Sequence, residues 1–176
     1  MVKPLAIITT EALKEMDALV AGAYPAEACG IVLGRSDNSI VFGQFDGGGG
    51  CLPLKDSHSY HCGQSACGDC RILRVQDLRN STAGGRANVY FEIDPLELYR
   101  IEQLAGKEGM EILGIFHSHP DKPARPSSED VKYMIPGMLY LIAAGTKDGM
   151  TDIKGYVKDK PDGGVSDVGI QEEREL

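Results

Sequence analysis

Hydrophobic and polar positions follow two periods along this chain, and together they predict strands and helices in mixed order. Short β-branched and aromatic runs predict strands at 6–8, 29–33, 39–42, 71–75, 89–93, 111–116, 139–143 and 153–157. Apolar residues at helical spacing predict helices over 11–23 and from Pro95 to Gly106, and Ser127 is a good N-cap for a short third helix. We therefore expect an α/β fold, a mixed β-sheet flanked by helices, with its site at the strand ends.

The chain of 176 residues is long enough for one domain with a sizeable core, predicted over 1–162. From about residue 44 to 71 the pattern breaks into a glycine-, cysteine- and histidine-rich stretch, which we interpret as an insertion on the domain surface. After 162 the composition turns to Gly, Asp and Glu, so 163–176 is expected to be a flexible acidic tail.

Charge and hydropathy restrict the partners. The formal net charge of −8 argues against binding to nucleic acid or to an anionic membrane. No run approaches the roughly 20 apolar residues of a membrane span. The first eight residues carry too short an apolar segment for a signal peptide, so a cytoplasmic protein is expected.

Two histidines separated by one residue carry the most informative chemistry in the chain. His117 and His119 follow the strand-like run 111–116, and on an extended strand both side chains project from one face. A proline-rich turn ends that strand, and Asp130 falls in the first turn of the next helix. Two imidazoles and one carboxylate are the protein ligands of an open zinc site with water in the fourth position. Histidines that are merely hydrogen-bonded remain the alternative.

Glu27 and Ser127 are the candidate catalytic side chains. Zinc lowers the pKa of a bound water towards about 7, and Glu27, at the mouth of strand 29–33, is placed to take the proton and pass it to a leaving amine. Ser127 is a candidate hydrogen-bond donor to the oxyanion of a tetrahedral intermediate. Together these groups describe amide hydrolysis without a covalent intermediate. The alternatives are a solvated turn carboxylate for Glu27 and a helix cap alone for Ser127.

The insertion holds a separate cluster of metal-binding side chains. Cys67 and Cys70 have the Cys-x-x-Cys spacing of a structural zinc site, and further ligands are available from Cys51, His58, His61 and Cys62. We interpret Cys51, Cys62, Cys67 and Cys70 as candidate ligands of a second, structural zinc, with reactive or solvated thiols as the alternative. His58 and His61 are not counted as ligands of the catalytic metal.

The motifs resemble the signature of the JAMM metallopeptidases, the catalytically competent MPN domains. The matching motifs are His117-x-His119-Pro120, Ser127-x-x-Asp130, Pro25-x-Glu27-x-Cys29-Gly30 and Leu33-x-Arg35. The ten residues between His119 and Asp130 reproduce the family's own spacing. The resemblance implies a cytidine-deaminase-like sheet and one catalytic zinc on His117, His119 and Asp130. It also implies that Glu27 is the general acid/base and that Ser127 steadies the intermediate.

The resemblance further implies a class of substrate. Eukaryotic members cleave ubiquitin isopeptide bonds, whereas the short, stand-alone prokaryotic members, which this chain resembles most, process ubiquitin-like sulfur-carrier proteins. The expected function is zinc-dependent hydrolysis of the peptide or isopeptide bond after the C-terminal Gly-Gly of such a protein. A deubiquitinase-like isopeptidase and a non-catalytic metal-binding interaction module are the alternatives. The oligomeric state, a homodimer included, stays open.

Overall fold

The computed structural model describes residues 5–36, 70–78 and 95–173. The elements are β1 (Leu5–Ile8), α1 (Thr10–Ala23), β2 (Cys29–Ser36), β3 (Cys70–Asp77), α2 (Pro95–Lys107), β4 (Glu111–Pro120), α3 (Ser128–Tyr133), β5 (Leu139–Thr146), β6 (Gly149–Lys158) and β7 (Val165–Glu172). The strands predicted at 39–42 and 89–93 lie outside the described residues, as do Cys51, Cys62 and Cys67.

The strands form one mixed sheet that closes into a barrel in the order β1-β3-β2-β4-β5-β6-β7. β4 lies between β2, to which it is antiparallel, and β5, to which it is parallel. The start of β2 and the ends of β4 and β5 therefore meet at one end of the sheet. The prediction of a mixed sheet with helices is confirmed.

The expected acidic tail is wrong for most of its length, because residues 165–172 form β7. β7 pairs antiparallel with β6 and parallel with β1, and so closes the barrel. Only Val168 of this strand is fully buried, so its composition resembles that of a solvated tail. Backbone hydrogen bonds to two neighbouring strands hold the segment in place, and such pairing leaves little trace in hydrophobicity.

Apolar side chains pack on both faces of the sheet. One cluster joins Met16 and Val20 of α1 to Phe116 of β4, and the other joins Ile101 of α2 to Ile115 of β4. Successive strand residues point to opposite faces, so α1 and α2 cover opposite sides of the sheet. No helix among the described residues is long and apolar enough to cross a lipid bilayer.

Local sequence signals set the helix ends. α1 begins after Thr9, whose side-chain oxygen accepts a hydrogen bond from the N–H of Ala12 at 3.2 Å. α2 begins at Pro95, as the preference of proline for the first helical position predicts. Cys70, assigned from sequence to the insertion, is the first residue of β3 and packs in the core beside α1. Its role as a zinc ligand stays a prediction.

Candidate metal site and active site

The C-terminal end of β4 brings the two histidines together. His117 pairs with Cys29 on one side and with Ile142 on the other, so the strand is fixed from both edges. His117 is 2% exposed and His119 is 6% exposed. Their Nε2 atoms lie 3.1 Å apart, which confirms that both imidazoles project from one face.

Asp130 reaches the histidines through a helix cap. The Ser127 N–H donates to Asp130 Oδ2 at 2.6 Å, and the Asp130 N–H donates to Ser127 Oγ at 3.1 Å. This reciprocal capping box fixes the carboxylate at the start of α3. Asp130 Oδ1 then lies 3.4 Å from His117 Nε2, and Oδ2 lies 3.3 Å from His119 Nε2. A strand end and a helix start thus deliver three ligand atoms to one point.

The three atoms fit a zinc ion. In a tetrahedral site with metal–ligand bonds of about 2.0–2.1 Å, neighbouring ligand atoms are about 3.4 Å apart. The two Nε2 atoms lie 3.1 Å apart, each lies 3.3–3.4 Å from a different oxygen of Asp130, and one ligand atom from each residue lies within 4.8 Å of the others. His119 Nδ1 lies 3.3 Å from the carbonyl oxygen of Pro123, and a carbonyl can only accept. That contact keeps the proton on Nδ1 and leaves the Nε2 lone pair for a cation. Among the described residues, His117, His119 and Asp130 form the group that could hold a metal ion.

Electrostatics at the three residues also favour a bound cation. Burial alone would raise the pKa of Asp130, but hydrogen bonds from His117 and His119 outweigh burial and hold it well below its usual range. Burial would lower the pKa of His119, yet the hydrogen bond with Asp130 raises it overall. The cluster therefore retains a negative carboxylate and attracts positive charge, whether a proton or a metal ion.

Glu27 lies across the strand end from the histidines. β2 and β4 pair Cys29 with His117, and continuing that antiparallel register by two residues puts Glu27 opposite His119. The Ala28 N–H donates to Ser118 Oγ at 2.8 Å, which ties this segment to β4 beyond the last ladder pair. Glu27 is only 9% exposed, so the alternative of a solvated turn carboxylate is wrong.

Burial changes the acid–base properties of Glu27. Desolvation is the largest effect and raises the pKa of its carboxyl to about 7, against a smaller opposing effect of His119. A carboxyl with a pKa near 7 exchanges protons readily at neutral pH. Perturbed groups of this kind are concentrated in functional sites.

Ser127 is the N-cap of α3, as predicted. Its oxygen accepts from the Asp130 N–H at 3.1 Å, and the side chain is exposed. A hydroxyl that accepts a bond keeps its own hydrogen for donation. The cap and the expected role at an oxyanion are therefore compatible, and the second stays a prediction.

Sequence reasoning missed two contacts that hold the site together. The Tyr24 hydroxyl donates to Asp121 Oδ2 at 2.7 Å, which joins the segment before Glu27 to the turn after the histidines. Asp121 has a φ of 53°, a conformation that Asp tolerates better than most residues. The Pro123 carbonyl that orients His119 is the other contact. Tyr24 lies 97 residues before Asp121, so the local pattern holds no signal of that contact. Pro123 lies only four residues after His119, but the sequence does not show which way its carbonyl points.

Fold and site together define an α/β protein with a candidate single-metal site built from two strand histidines and a helix-capping aspartate. A family model described as prokaryotic homologs of the JAB domain matches residues 9–154. The chain belongs to this family, which confirms the JAMM/MPN resemblance read from the motifs.

Three curated relatives are similar to parts of the chain. A desampylase of Pyrococcus furiosus is 39% identical over 64 residues, 36% of this chain and 44% of that protein. A desampylase of Haloferax volcanii is 31% identical over 104 residues, 51% of this chain and 75% of that protein. A probable TtuB-protein conjugate cleaving protease of Thermus thermophilus is 46% identical over 50 residues, 27% of this chain and 34% of that protein. The chain thus spans less than half the length of the Pyrococcus and Thermus relatives.

Solved structures resemble the chain over nearly its whole length. A Desulfitobacterium hafniense protein solved in solution has a TM-score of 0.69 and 28% identity, covering 97% of this chain and 94% of that one. A Salinibacter ruber protein has a TM-score of 0.56 and 23% identity, covering 92% and 87%. The second likeness concerns the fold alone.

Proposed function

We propose that this chain is a zinc-dependent metallopeptidase that hydrolyses the peptide or isopeptide bond after the C-terminal Gly-Gly of a ubiquitin-like, sulfur-carrier-type protein. The observation that carries the proposal is the convergence of His117, His119 and Asp130, whose nearest side-chain N and O atoms lie 3.1–3.4 Å apart, opposite a buried glutamate whose pKa is raised to about 7. A purely structural site would have no use for a carboxyl tuned in this way.

His117, His119 and Asp130 would hold the zinc. When bound there, zinc would lower the pKa of water and polarise the substrate carbonyl. The chain's own part is to keep both Nε2 lone pairs and one carboxylate directed at a single point. The Pro123 carbonyl does this for His119, and the Ser127 N–H does it for Asp130.

Glu27 would move the proton. As a carboxylate it accepts a proton from the attacking water, and as the resulting acid it donates that proton to the leaving amine. A pKa of about 7 serves both steps, because neither protonation state is strongly disfavoured at neutral pH. Ser127, with its hydroxyl hydrogen available, would donate to the oxyanion that forms on the carbonyl.

The relatives' names support conjugates as substrates. Two are desampylases, and the third is named for cleaving TtuB-protein conjugates. An isopeptide bond between a ubiquitin-like protein and a lysine is therefore included beside a linear extension. The cytidine-deaminase likeness of the sheet, the cytoplasmic location, the homodimer and the second zinc stay predictions.

The test measures zinc content and cleavage together. The substrates are a ubiquitin-like carrier with one residue after Gly-Gly and an isopeptide-linked conjugate of the same carrier. Glu27→Gln should keep its zinc and lose about 100- to 10,000-fold in kcat, the usual range for a lost general base. Glu11→Gln, the same change at an exposed position of α1, is the matched control and should cleave like the wild type. His117→Ala should lose the zinc.

Equal cleavage by Glu27→Gln and the wild type would show the mechanism to be wrong. A wild type that binds zinc but cleaves neither substrate would favour the metal-binding interaction module. Cleavage of a ubiquitin conjugate in preference to the carrier conjugate would favour the deubiquitinase-like alternative.

A further inference from the structure

α3 carries Asp130 but has little apolar packing of its own. The helix has six residues, Ser128–Tyr133, and none of them is fully buried. Val131 packs partly buried against the core, and the C-cap Met134 is buried in it, so the apolar contacts are few. A single helical turn or two is unstable in isolation, because nucleation costs more than so few hydrogen bonds return. The capping box fixes Asp130 relative to α3, but it does not fix α3 relative to β4. Another set of contacts must do so.

Lys158, the last residue of β6, provides one such contact. Its Nζ donates to the carbonyl oxygen of Val131 at 2.7 Å, and the residue is only 5% exposed. Val131 lies within the last four residues of α3, where carbonyls lack partners inside the helix. A cation is favoured at that end by the helix dipole, and a hydrogen bond from an ammonium is stronger than a neutral one. The Lys158 carbonyl also accepts from the Gly137 N–H at 3.0 Å, just beyond the helix.

Two tyrosine hydroxyls from the same sheet flank that contact. The Tyr156 hydroxyl donates to the Ala124 carbonyl at 2.7 Å, before α3. Tyr140 Oη accepts from the Ile135 N–H at 2.8 Å, after α3. Both rings are buried in the cluster on the histidine side of the sheet. β5 and β6 therefore hold the segment 124–137 before α3, within α3 and after α3.

Lys158 is buried without a close carboxylate. Among residues 5–36, 70–78 and 95–173, no Asp or Glu forms an ion pair with its Nζ. Covering an ammonium in this way is costly unless its hydrogen bonds compensate. An apolar side chain would avoid that cost but would leave the Val131 carbonyl without this hydrogen bond.

We propose that Lys158 is a positioning residue: its ammonium anchors α3 to β6 so that the Asp130 carboxylate stays within reach of His117 and His119. If Lys158 is the anchor, it keeps α3 in place on the sheet in the metal-free protein as well. The consequence for zinc affinity rests in addition on the proposed function.

The test compares Lys158→Met with Lys154→Met. Lys154 lies on the same strand, is exposed and pairs with Asp152, so it is the matched control for losing an amine from β6. In metal-free protein, Lys158→Met should speed hydrogen exchange of the α3 amides about tenfold, the effect of a lost hydrogen bond to a charged group. In zinc titrations, its dissociation constant should rise about 10- to 100-fold, as for other residues that orient ligands. Lys154→Met should change neither.

Lys158→Arg separates anchoring from general stability. It keeps a cationic donor and should recover more zinc affinity than Lys158→Met when both are compared well below their melting temperatures. If Lys158→Met does not fold, Lys158→Gln replaces it, because glutamine keeps a polar side chain but has no ammonium. Faster exchange of the α3 amides is then expected.

Unchanged exchange and zinc affinity in Lys158→Met, or in Lys158→Gln where that variant replaces it, would overturn the inference. Faster exchange with unchanged zinc affinity would also overturn it, since Asp130 would then not depend on the anchor. If the wild type binds no zinc, the proposed function fails, whereas exchange in the metal-free proteins still decides whether Lys158 orders α3.

Discussion

The buried Glu27 makes the stability of the metal-free protein depend on pH in a defined direction. Desolvation raises the pKa of its carboxyl from 4.5 to about 7 on folding. The folded state therefore binds this proton more tightly than the unfolded chain does. The contribution of Glu27 to stability is fully present below pH 4.5 and is lost as pH rises through about 7.

The size of the effect follows from the shift. A change from 4.5 to about 7 corresponds to about 3 kcal/mol at 1.36 kcal/mol per pKa unit. Glu27 lies at the strand end, where solvent screens part of this effect, so the figure is an upper value. Between pH 5 and pH 8, where most of the titration falls, Glu27 should cost the wild type about 2 kcal/mol. Glu27→Gln has no charge to desolvate and should escape that loss.

Urea unfolding in the presence of a chelator, at pH 5 and at pH 8, measures the difference. Relative to the wild type, Glu27→Gln should gain about 2 kcal/mol in the free energy of unfolding on going from pH 5 to pH 8. The other titrating groups, His119 among them, are present in both proteins, so their effects largely cancel. Glu11→Gln should track the wild type at both pH values. A Glu27→Gln difference that is the same at pH 5 and pH 8 would refute the burial argument.

Two further predictions concern the cap and the last strand. Ser127→Gly should lower the free energy of unfolding in urea by only a few tenths of a kcal/mol, because glycine is a tolerated N-cap. It should lower kcat about 100-fold if the hydroxyl donates to the oxyanion. A kcat equal to that of the wild type would show that Ser127 is a helix cap alone. Truncation after residue 162 removes β7 and opens the barrel between β1 and β6. Thermal unfolding followed by circular dichroism should show a large loss of stability, whereas an unchanged melting temperature would restore the tail interpretation.

The parts of the site that could be predicted from sequence are those encoded within a few residues. His117 and His119 share a face because a strand alternates, and Asp130 meets Ser127 because a capping box spans three residues. Both features depend on backbone geometry close to the residues concerned. The burial of Glu27 depends instead on the register between β2 and β4, which residues near Glu27 do not specify.

β7 and Lys158 were beyond sequence reasoning for a related reason. β7 contributes one fully buried side chain, and its stability comes from pairing with β1 and β6. Lys158 looks like any charged strand end until the carbonyl of Val131, 27 residues earlier, is brought to it. Local patterns cannot distinguish a solvated lysine from one that completes a helix end.

These non-local contacts decide how the site can work. The capping box would form in α3 wherever that helix lay, and the histidines would share a face in any strand. Among the described residues, the β5–β6 contacts through Lys158 and its flanking tyrosines help to fix the distance between the two halves, together with the packing of Val131 and Met134 on the core. Metal affinity should therefore respond to changes in β6 that touch no ligand. By the same reasoning, the position of Glu27 depends on the β2–β4 register, so proton transfer and metal binding should be most sensitive to different mutations.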